Sequence, residues 1–436
     1  MDFRRPIGNK RSYDPLSQLV FSRSLGQFVW DDQGRKYLDL VCGYSACNLG
    51  HAHPKIISAI NQQISELTWA HGGESLERRK LEETLGGLWD QHSGSKANTI
   101  TPSKVWLTVS GARGIEIAWK LAHARSPGAV VRFDLAYHGR SLASAHLSDT
   151  QRSMAIDGFG FDQAVRTIPF PRHLQGSCGP NLDDSASDHV NRLCQECRRC
   201  LEQAAIAFDQ GPQKASILFL EPAIGARGYY FAPAGFFRKL VELAKKKGLA
   251  VVSDEIQMGL RRTGPMFLSA TQGWTPDLLV LGKSLGGGIA PIAAVIGNPT
   301  WIDAIGPGIE SETFAGYPLA CRIANETLAI LQERNLGAEI ERKGELLRNL
   351  LRQGLSGDVL VEGIGLANCI SLENLPIADS ALASRIVGWL AKEGVLVHLT
   401  GPSRNRIALI PSLLIPETSL SFAAEKIIAG FRAFGL

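Results

Sequence analysis

Lys283 and Asp254 are the two side chains of this sequence whose types and surroundings best suit covalent chemistry. Lys283 stands in LLVLGKSLGGGIAP (278–291), at the end of an apolar run and just before three glycines. Asp254 ends a similar run in VVSDEIQMG (251–259). Short apolar runs bounded by polar or glycine-rich turns read as buried strands, and two such strands in an α/β sheet would deliver an amine and a carboxylate to one edge. A lysine amine condenses with an aldehyde. A carboxylate opposite a pyridine nitrogen keeps that nitrogen protonated, so the ring can accept the electrons of a substrate carbanion. The pair points to pyridoxal phosphate, with Lys283 as the Schiff-base lysine and Asp254 at the ring nitrogen.

The rest of the chain supplies elements that could position such a pair. SQLVFSRSLGQFVWDDQGRKYLDL (17–40) alternates like strands and is broken by a DDQGR turn, which predicts a hairpin. PKIISAINQQISELT (54–68) and ERRKLEETLGGLWDQ (77–91) have helical spacing. From about residue 100 the pattern becomes strand, glycine-bearing loop and helix, through VWLTVSG (105–111), AVVRFDLAYHG (129–139) and SILFLEPAIG (216–225). This alternation predicts an α/β fold with a mostly parallel central sheet and sites at the carboxyl ends of its strands. After about residue 310, helices followed by the short strands VLVEGIGLANCISLE and GVLVHL predict a smaller α+β domain. PRHLQGSCGPNLDDSASD (171–188) reads as a polar surface insertion or mobile cover.

Weaker signals cluster at the same predicted edge. TVSGARGIEIAWKLA (108–122) places Ser110, Gly111 and Ala112 between a strand and a helix, where backbone N–H groups can meet a phosphate; the plainer reading is a turn glycine. AYHGRSLAS offers Tyr137 as an aromatic plate, against a partly buried core tyrosine. GKS at 282–284 lacks the upstream glycine of a P-loop, and no G-x-G-x-x-G opens a first βαβ unit. Cys194, Cys197 and Cys200 form a C-x2-C-x2-C run, yet Val190, Cys194, Cys197, Leu201, Ala204 and Phe208 recur at helical spacing, so helix packing is expected and no metal site.

With 436 residues, 44% hydrophobic and 20% charged, the chain can bury a large core. A net charge of +4 and no long basic run argue against a nucleic-acid footprint; KKK at 245–247 is read as a helix end. No window reaches the ~18 apolar residues of a membrane span. The basic N-terminal residues have no apolar run behind them, and the eight cysteines sit in mostly apolar contexts, so the cytoplasm is the expected compartment.

Taken in order, YLDLVCGYSACNLGHAHP, VSGARGIEIAWKLA, YHGRS, LEPAIGARG, SDEIQMGLRRTG, PDLLVLGKSLGGG and ETFAGYPLACRIAN resemble the class III aminotransferases of PLP fold-type I over nearly the whole chain. The resemblance implies a small domain built from both ends of the chain: an N-terminal segment (1–50), a large PLP-binding domain (51–310) and a C-terminal small domain (311–436). It assigns Lys283 to the Schiff base and proton shuttling, Asp254 to the pyridine nitrogen and Gln257 to the ring hydroxyl. Ile256 and Tyr137 would sandwich the ring, with His138 beside it. Gly111 and Ala112 would hold the phosphate, joined by Thr313 from a neighbouring subunit, which implies a homodimer.

The N-terminal third looks most like ornithine aminotransferases. There the residues matching Tyr44 and Arg140 hold the α-carboxylate of ornithine, and the one matching Glu221 acts as a gate. The implied reaction moves a terminal amino group to a 2-oxo acid by ping-pong kinetics. Other ω-amine or diamine aminotransferases, or a PLP aminomutase or decarboxylase, could use the same Lys283 and Asp254. Three positions depart from the pattern. The family's second carboxylate-gripping arginine falls on Ala408, and Arg406 lies two residues earlier on the same strand face, displaced by roughly 6.6–6.8 Å. Glu312 replaces a usual serine near the substrate entrance, and Arg227 follows Glu221 in the glycine-rich segment. These changes make the pocket less attractive to dicarboxylates and more attractive to ammonium groups, unless Arg227 or Arg406 compensates or Glu312 turns into solvent.

Overall fold

The computed structural model describes residues 15–93, 101–149, 164–172, 193–375 and 380–436. At its centre is a seven-stranded sheet in the order Lys104–Thr108, Ala293–Gly297, Leu278–Leu281, Ala250–Asp254, Ala215–Leu220, Ala129–Phe133, Val165–Ile168. Ala293–Gly297 runs antiparallel to both of its neighbours and the other pairings are parallel. Every residue of Ala215–Leu220, Ala250–Asp254 and Leu278–Leu281 is buried, as expected for parallel strands covered on both faces. Strand order thus sets Leu278–Leu281 directly beside Ala250–Asp254, which brings Lys283 and Asp254 to the same end of the sheet.

The helices pack through single apolar stripes. Ala234–Lys246 turns Phe236, Phe237, Leu240, Val241 and Ala244 inward and ends in Lys245 and Lys246, whose charges suit its negative end. Phe237 meets Phe236 at 5.4 Å and Trp274 at 6.2 Å between ring centroids, and Phe133 joins the same cluster at 6.5 Å from Phe237. Each such fully buried ring contributes roughly 1.5–3 kcal/mol of apolar burial. The helix Gln195–Asp209 buries Cys197, Cys200, Ala204 and Phe208, and Cys194 stands at its N-cap, so the spacing of these cysteines serves packing. Val190 and most of the polar 171–188 stretch lie outside the described residues.

Two smaller four-stranded sheets complete the fold. The expected hairpin is a three-stranded meander, Phe21–Leu25, Phe28–Asp31 and Lys36–Asp39, and the DDQGR turn joins its last two strands. Its fourth strand, Val395–Leu396, comes from the far end of the chain and runs parallel to Lys36–Asp39. The other sheet orders Leu360–Ile364, Ala367–Ser371, Arg406–Leu409 and His398–Thr400, all antiparallel. No helix among the described residues is long and apolar enough to cross a membrane.

Candidate active site

Lys283 opens the short 3-10 turn Lys283–Gly286, one residue after the Leu278–Leu281 strand is left behind. Its φ of 41° lies in the left-handed region, a strained setting for a lysine that the following turn holds through Leu285 N–H donating to Gly282 O at 3.0 Å. Burial pushes its amine down to about 8, while the charges of Asp254 and Glu221 oppose that shift.

Asp254 is 5% exposed, and its carboxylate is fixed from two sides. Oδ2 stands 2.8 Å from His138 Nδ1, and Oδ1 accepts from Ile256 N–H at 3.0 Å. His138 is itself pinned by its backbone N–H donating to Ser148 Oγ at 2.8 Å. Its second ring nitrogen, Nε2, is buried without a hydrogen-bond partner among the described residues. Glu221 accepts from Tyr137 N–H at 2.9 Å and Gly225 N–H at 3.1 Å. Burial pushes its carboxyl up to about 7, against the opposing influence of His138. Glu221 therefore ties two site loops together from below.

The helix Gly111–Arg125 starts at this edge, with Ser110 Oγ accepting from Arg113 N–H at 3.2 Å. A Cβ on Gly111 would stand 2.8 Å from Ile256 Cδ1, so only glycine lets the helix N-terminus come this close to the loop after Asp254. Gly139, at φ 132°, backs onto Ala112 in the same way, with 2.6 Å between a built Cβ and Ala112 Cβ. Gly111, Ala112, Tyr137, His138, Asp254, Ile256, Gln257 and Lys283 thus lie on loops in mutual contact or on adjoining strand ends. The unpartnered His138 nitrogen, the side-chain-free approach at Gly111 and the depressed lysine amine all fit pyridoxal phosphate.

The substrate candidates are distributed around this group. Arg140 Nε donates to Tyr137 Oη at 3.3 Å, and its guanidinium pairs with no carboxylate among the described residues. Tyr44 sits in a run of four left-handed residues, Cys42 to Ser45, supported by Asp39 Oδ1 accepting from Val41 and Cys42 N–H at 2.8 and 2.9 Å. Its ring meets His398 edge-on at 4.7 Å, and its carbonyl lies 3.5 Å from Gln257 Nε2. Thr313 is exposed on the loop that also carries exposed Phe314.

Three charged candidates are engaged elsewhere. Glu312 is not turned into solvent: it accepts from Arg113 Nε at 3.1 Å and from the Thr108 hydroxyl, so its charge is answered by a cation from the Gly111–Arg125 helix. Arg227 pairs with Asp149 at 3.3 Å. Arg406, the residue that could have compensated for Ala408, is almost fully buried, with its guanidinium held between Glu362 at 2.7 Å and Glu373 at 2.6 Å. Ala408 has no exposed surface and belongs to an apolar cluster with Ala223, Tyr229, Met258, Cys369 and Ile410.

Two participants carry no sequence signal. Arg113 pairs with Glu116, Glu310 and Glu312 together. Tyr229 accepts from Gln257 Nε2 at 2.6 Å and has a φ of 56°, a conformation no local pattern announces.

A sheet that delivers a lysine and an aspartate to one edge, beside a helix N-terminus left open by glycine, defines a fold-type I pyridoxal phosphate enzyme. The chain belongs to the aminotransferase class-III family, which it matches over residues 9–430. It is 30% identical over 432 residues to an ornithine aminotransferase of Bacillus cereus, covering 96% of this chain and 95% of that one. It is 29% identical over 428 residues to a 5-aminovalerate aminotransferase of Pseudomonas aeruginosa, covering 96% and 94%. The solved ornithine aminotransferase of Toxoplasma gondii, whose active site carries PLP at partial occupancy, superposes with a TM-score of 0.77 at 28% identity, over 95% of this chain and 90% of that chain. The protein is therefore a pyridoxal-phosphate-dependent transaminase.

Proposed function

We propose that this enzyme moves the terminal amino group of an ornithine-like amino acid to a 2-oxo acid, working by alternating half-reactions as a cytoplasmic homodimer. The observation that carries the reading is Arg140: a guanidinium resting on Tyr137, free of any carboxylate among the described residues, at the mouth of the site that holds Lys283. A planar fork in that state suits the carboxylate of an amino acid whose other end carries the reacting amine. Tyr44, on the 42–45 turn, is the proposed second contact for that carboxylate.

Bound pyridoxal phosphate supplies the aldehyde and the electron-accepting ring. Gly111 and Ala112 at the helix N-terminus are the proposed phosphate cradle, and Gln257, braced by Tyr229, is the donor proposed for the ring hydroxyl. Asp254, held by His138 and Ile256, is the carboxylate that would pair with the ring nitrogen. Lys283 Nζ, its basicity reduced by burial, takes the proton from the amine-bearing carbon of the substrate and returns it. Exposed Ile289, Ile309 and Phe314, on the glycine-rich turn and on the loop of Thr313, support burial against a second copy of the chain. In this reading residues 1–50 and 311–436 form the small domain around the 51–310 core.

The test is the first half-reaction alone. Holoenzyme mixed with ornithine, 5-aminovalerate or a simple diamine, without any 2-oxo acid, should lose its cofactor absorbance fastest with the ω-amino acids, and sedimentation should give a particle of twice the 47.2 kDa chain. Conversion that is faster with amino acids lacking a distal amine would refute the substrate assignment.

A further inference from the structure

We infer that Arg113 and Glu312 are an opposed pair that sets how tightly this enzyme grips the phosphate of its cofactor: Glu312 weakens the grip and Arg113 offsets Glu312. This rests on the cofactor reading above and adds two residues to it. Arg113 is the third residue of the Gly111–Arg125 helix, and its N–H donates to Ser110 Oγ at 3.2 Å, which leaves Gly111 and Ala112 as the proposed cradle. Its guanidinium reaches the loop that carries Thr313: Nε donates to Glu312 at 3.1 Å and Nη2 to Glu310. Glu312 also accepts from the hydroxyl of Thr108, the last residue of the strand that leads into this helix. A carboxylate from the far loop is thereby seated beside the first turn of the helix.

The surrounding charges do not balance. Arg113 meets Glu116, Glu310 and Glu312, and Lys120 meets Glu310, so two cations answer three carboxylates and the group is left with one net negative charge. Glu116 accepts further from Ser141 Oγ at 2.7 Å and Ala143 N–H at 3.2 Å, and neither brings charge. Arg140, just before Ser141, lies over the Tyr137 ring at 5.8 Å and pairs with none of the three carboxylates among the described residues. The Glu310 and Glu312 side chains are only 2% and 16% exposed, so water screens their charges weakly. Burial disfavours the Arg113 cation, yet the three carboxylates outweigh that and raise it above its ordinary range.

A helix N-terminus offers a phosphate the equivalent of about half a positive charge, and any carboxylate beside the first turn draws on the same potential. Neutralising Glu312 would leave two cations against two carboxylates, and the helix end would act on the phosphate unopposed. Neutralising Arg113 would leave Lys120 against three carboxylates, and their excess charge would repel a phosphate that is itself close to doubly negative. Arg113 therefore acts on the cofactor through Glu312, as a positioning residue. The same contacts dock the loop on which Thr313 stands exposed.

The decisive measurement compares pyridoxal phosphate with pyridoxal, which lacks the phosphate, in equilibrium binding to apoenzyme followed by cofactor absorbance. The ratio of the two affinities isolates the part due to the phosphate. Glu312→Gln should raise that ratio at least about threefold and Arg113→Gln should lower it at least about threefold, the span of one partly exposed ionic contact. In the double variant the two charge changes cancel, so the ratio should return to within about twofold of the wild-type value. A merely structural part for Arg113 would weaken both ligands alike, and neutralising Glu312 would not restore them. A ratio that Glu312→Gln leaves unchanged or lowers overturns the inference, whether or not Arg113→Gln folds. A folded Arg113→Gln that weakens both ligands equally, or a double variant that stays at the Arg113→Gln level, overturns it too. Wild-type apoenzyme that takes up neither ligand would instead strike the cofactor reading.

Discussion

The Lys283 amine should become reactive near pH 8, and Asp254→Asn should move that midpoint lower. Burial brings the folded lysine down to about 8 from an ordinary value of 10.5, with Asp254 and Glu221 holding it up against desolvation. Only the free base attacks an aldehyde. At pH 8 about half of Lys283 is in that form, against about 0.3% of an ordinary lysine, so site attachment outruns surface labelling by about 150-fold. Below pH 8 the attachment rate should fall tenfold for each unit of pH, and above it the rate should level off. Removing the Asp254 charge takes away support for the ammonium form and leaves desolvation less opposed, so the midpoint falls below 8. Asp254→Asn would also exchange the proposed charge-assisted contact to the ring nitrogen for a neutral one, worth about 1.5–3 kcal/mol. That loss corresponds to about 10- to 150-fold in turnover. The assay is pulse trapping by borohydride of the adduct of pyridoxal phosphate with apoenzyme between pH 6 and 10, quantified at position 283 by mass spectrometry. A wild-type midpoint near 10.5, or a midpoint that rises in Asp254→Asn, would refute the account of the site's electrostatics.

Two further perturbations separate the site from its supports. Glu312→Gln removes a charge from a carboxylate already answered by Arg113, so KM for diamines should change by less than about threefold, as expected of a partly exposed ion pair; a large rise in KM would show that Glu312 faces the substrate. Phe237→Ala empties a fully buried position between Phe236, Phe133 and Trp274 and should cost about 3–5 kcal/mol, lowering the thermal midpoint by several degrees while leaving the pH midpoint of Lys283 in place.

How much of this was legible in the residues depends on the distance over which each group finds its partner. The strands that end in Asp254 and lead to Lys283 are buried on both faces, so their composition alone marks them, and the glycine-rich turn marks where the chain leaves the sheet. The helix beginning at Gly111 was equally plain, because cap and turn chemistry are local. The strand carrying Arg406 illustrates the opposite case. Counting residues places Arg406 and Ala408 on one face, as period-two geometry requires, yet all four residues of Arg406–Leu409 are buried, so no alternation tells which face meets solvent and which meets the site. The partners that decide what Arg406 does, Glu362 and Glu373, stand 44 and 33 residues away, on the Leu360–Ile364 strand and just past the Ala367–Ser371 strand. Glu312 poses the same problem, since Arg113 is 199 residues earlier. Tyr229 is harder still, because its left-handed backbone sits where Arg406 donates to Gly228 O and Tyr229 O, and its contact with Gln257 comes from a distant loop. Local patterns therefore mark the pair proposed to react, Lys283 and Asp254, whose places come from strand ends and turns. Specificity, which in the proposed reading turns on whether a cation such as Arg140 is free or already paired, depends on contacts that close only when distant segments meet.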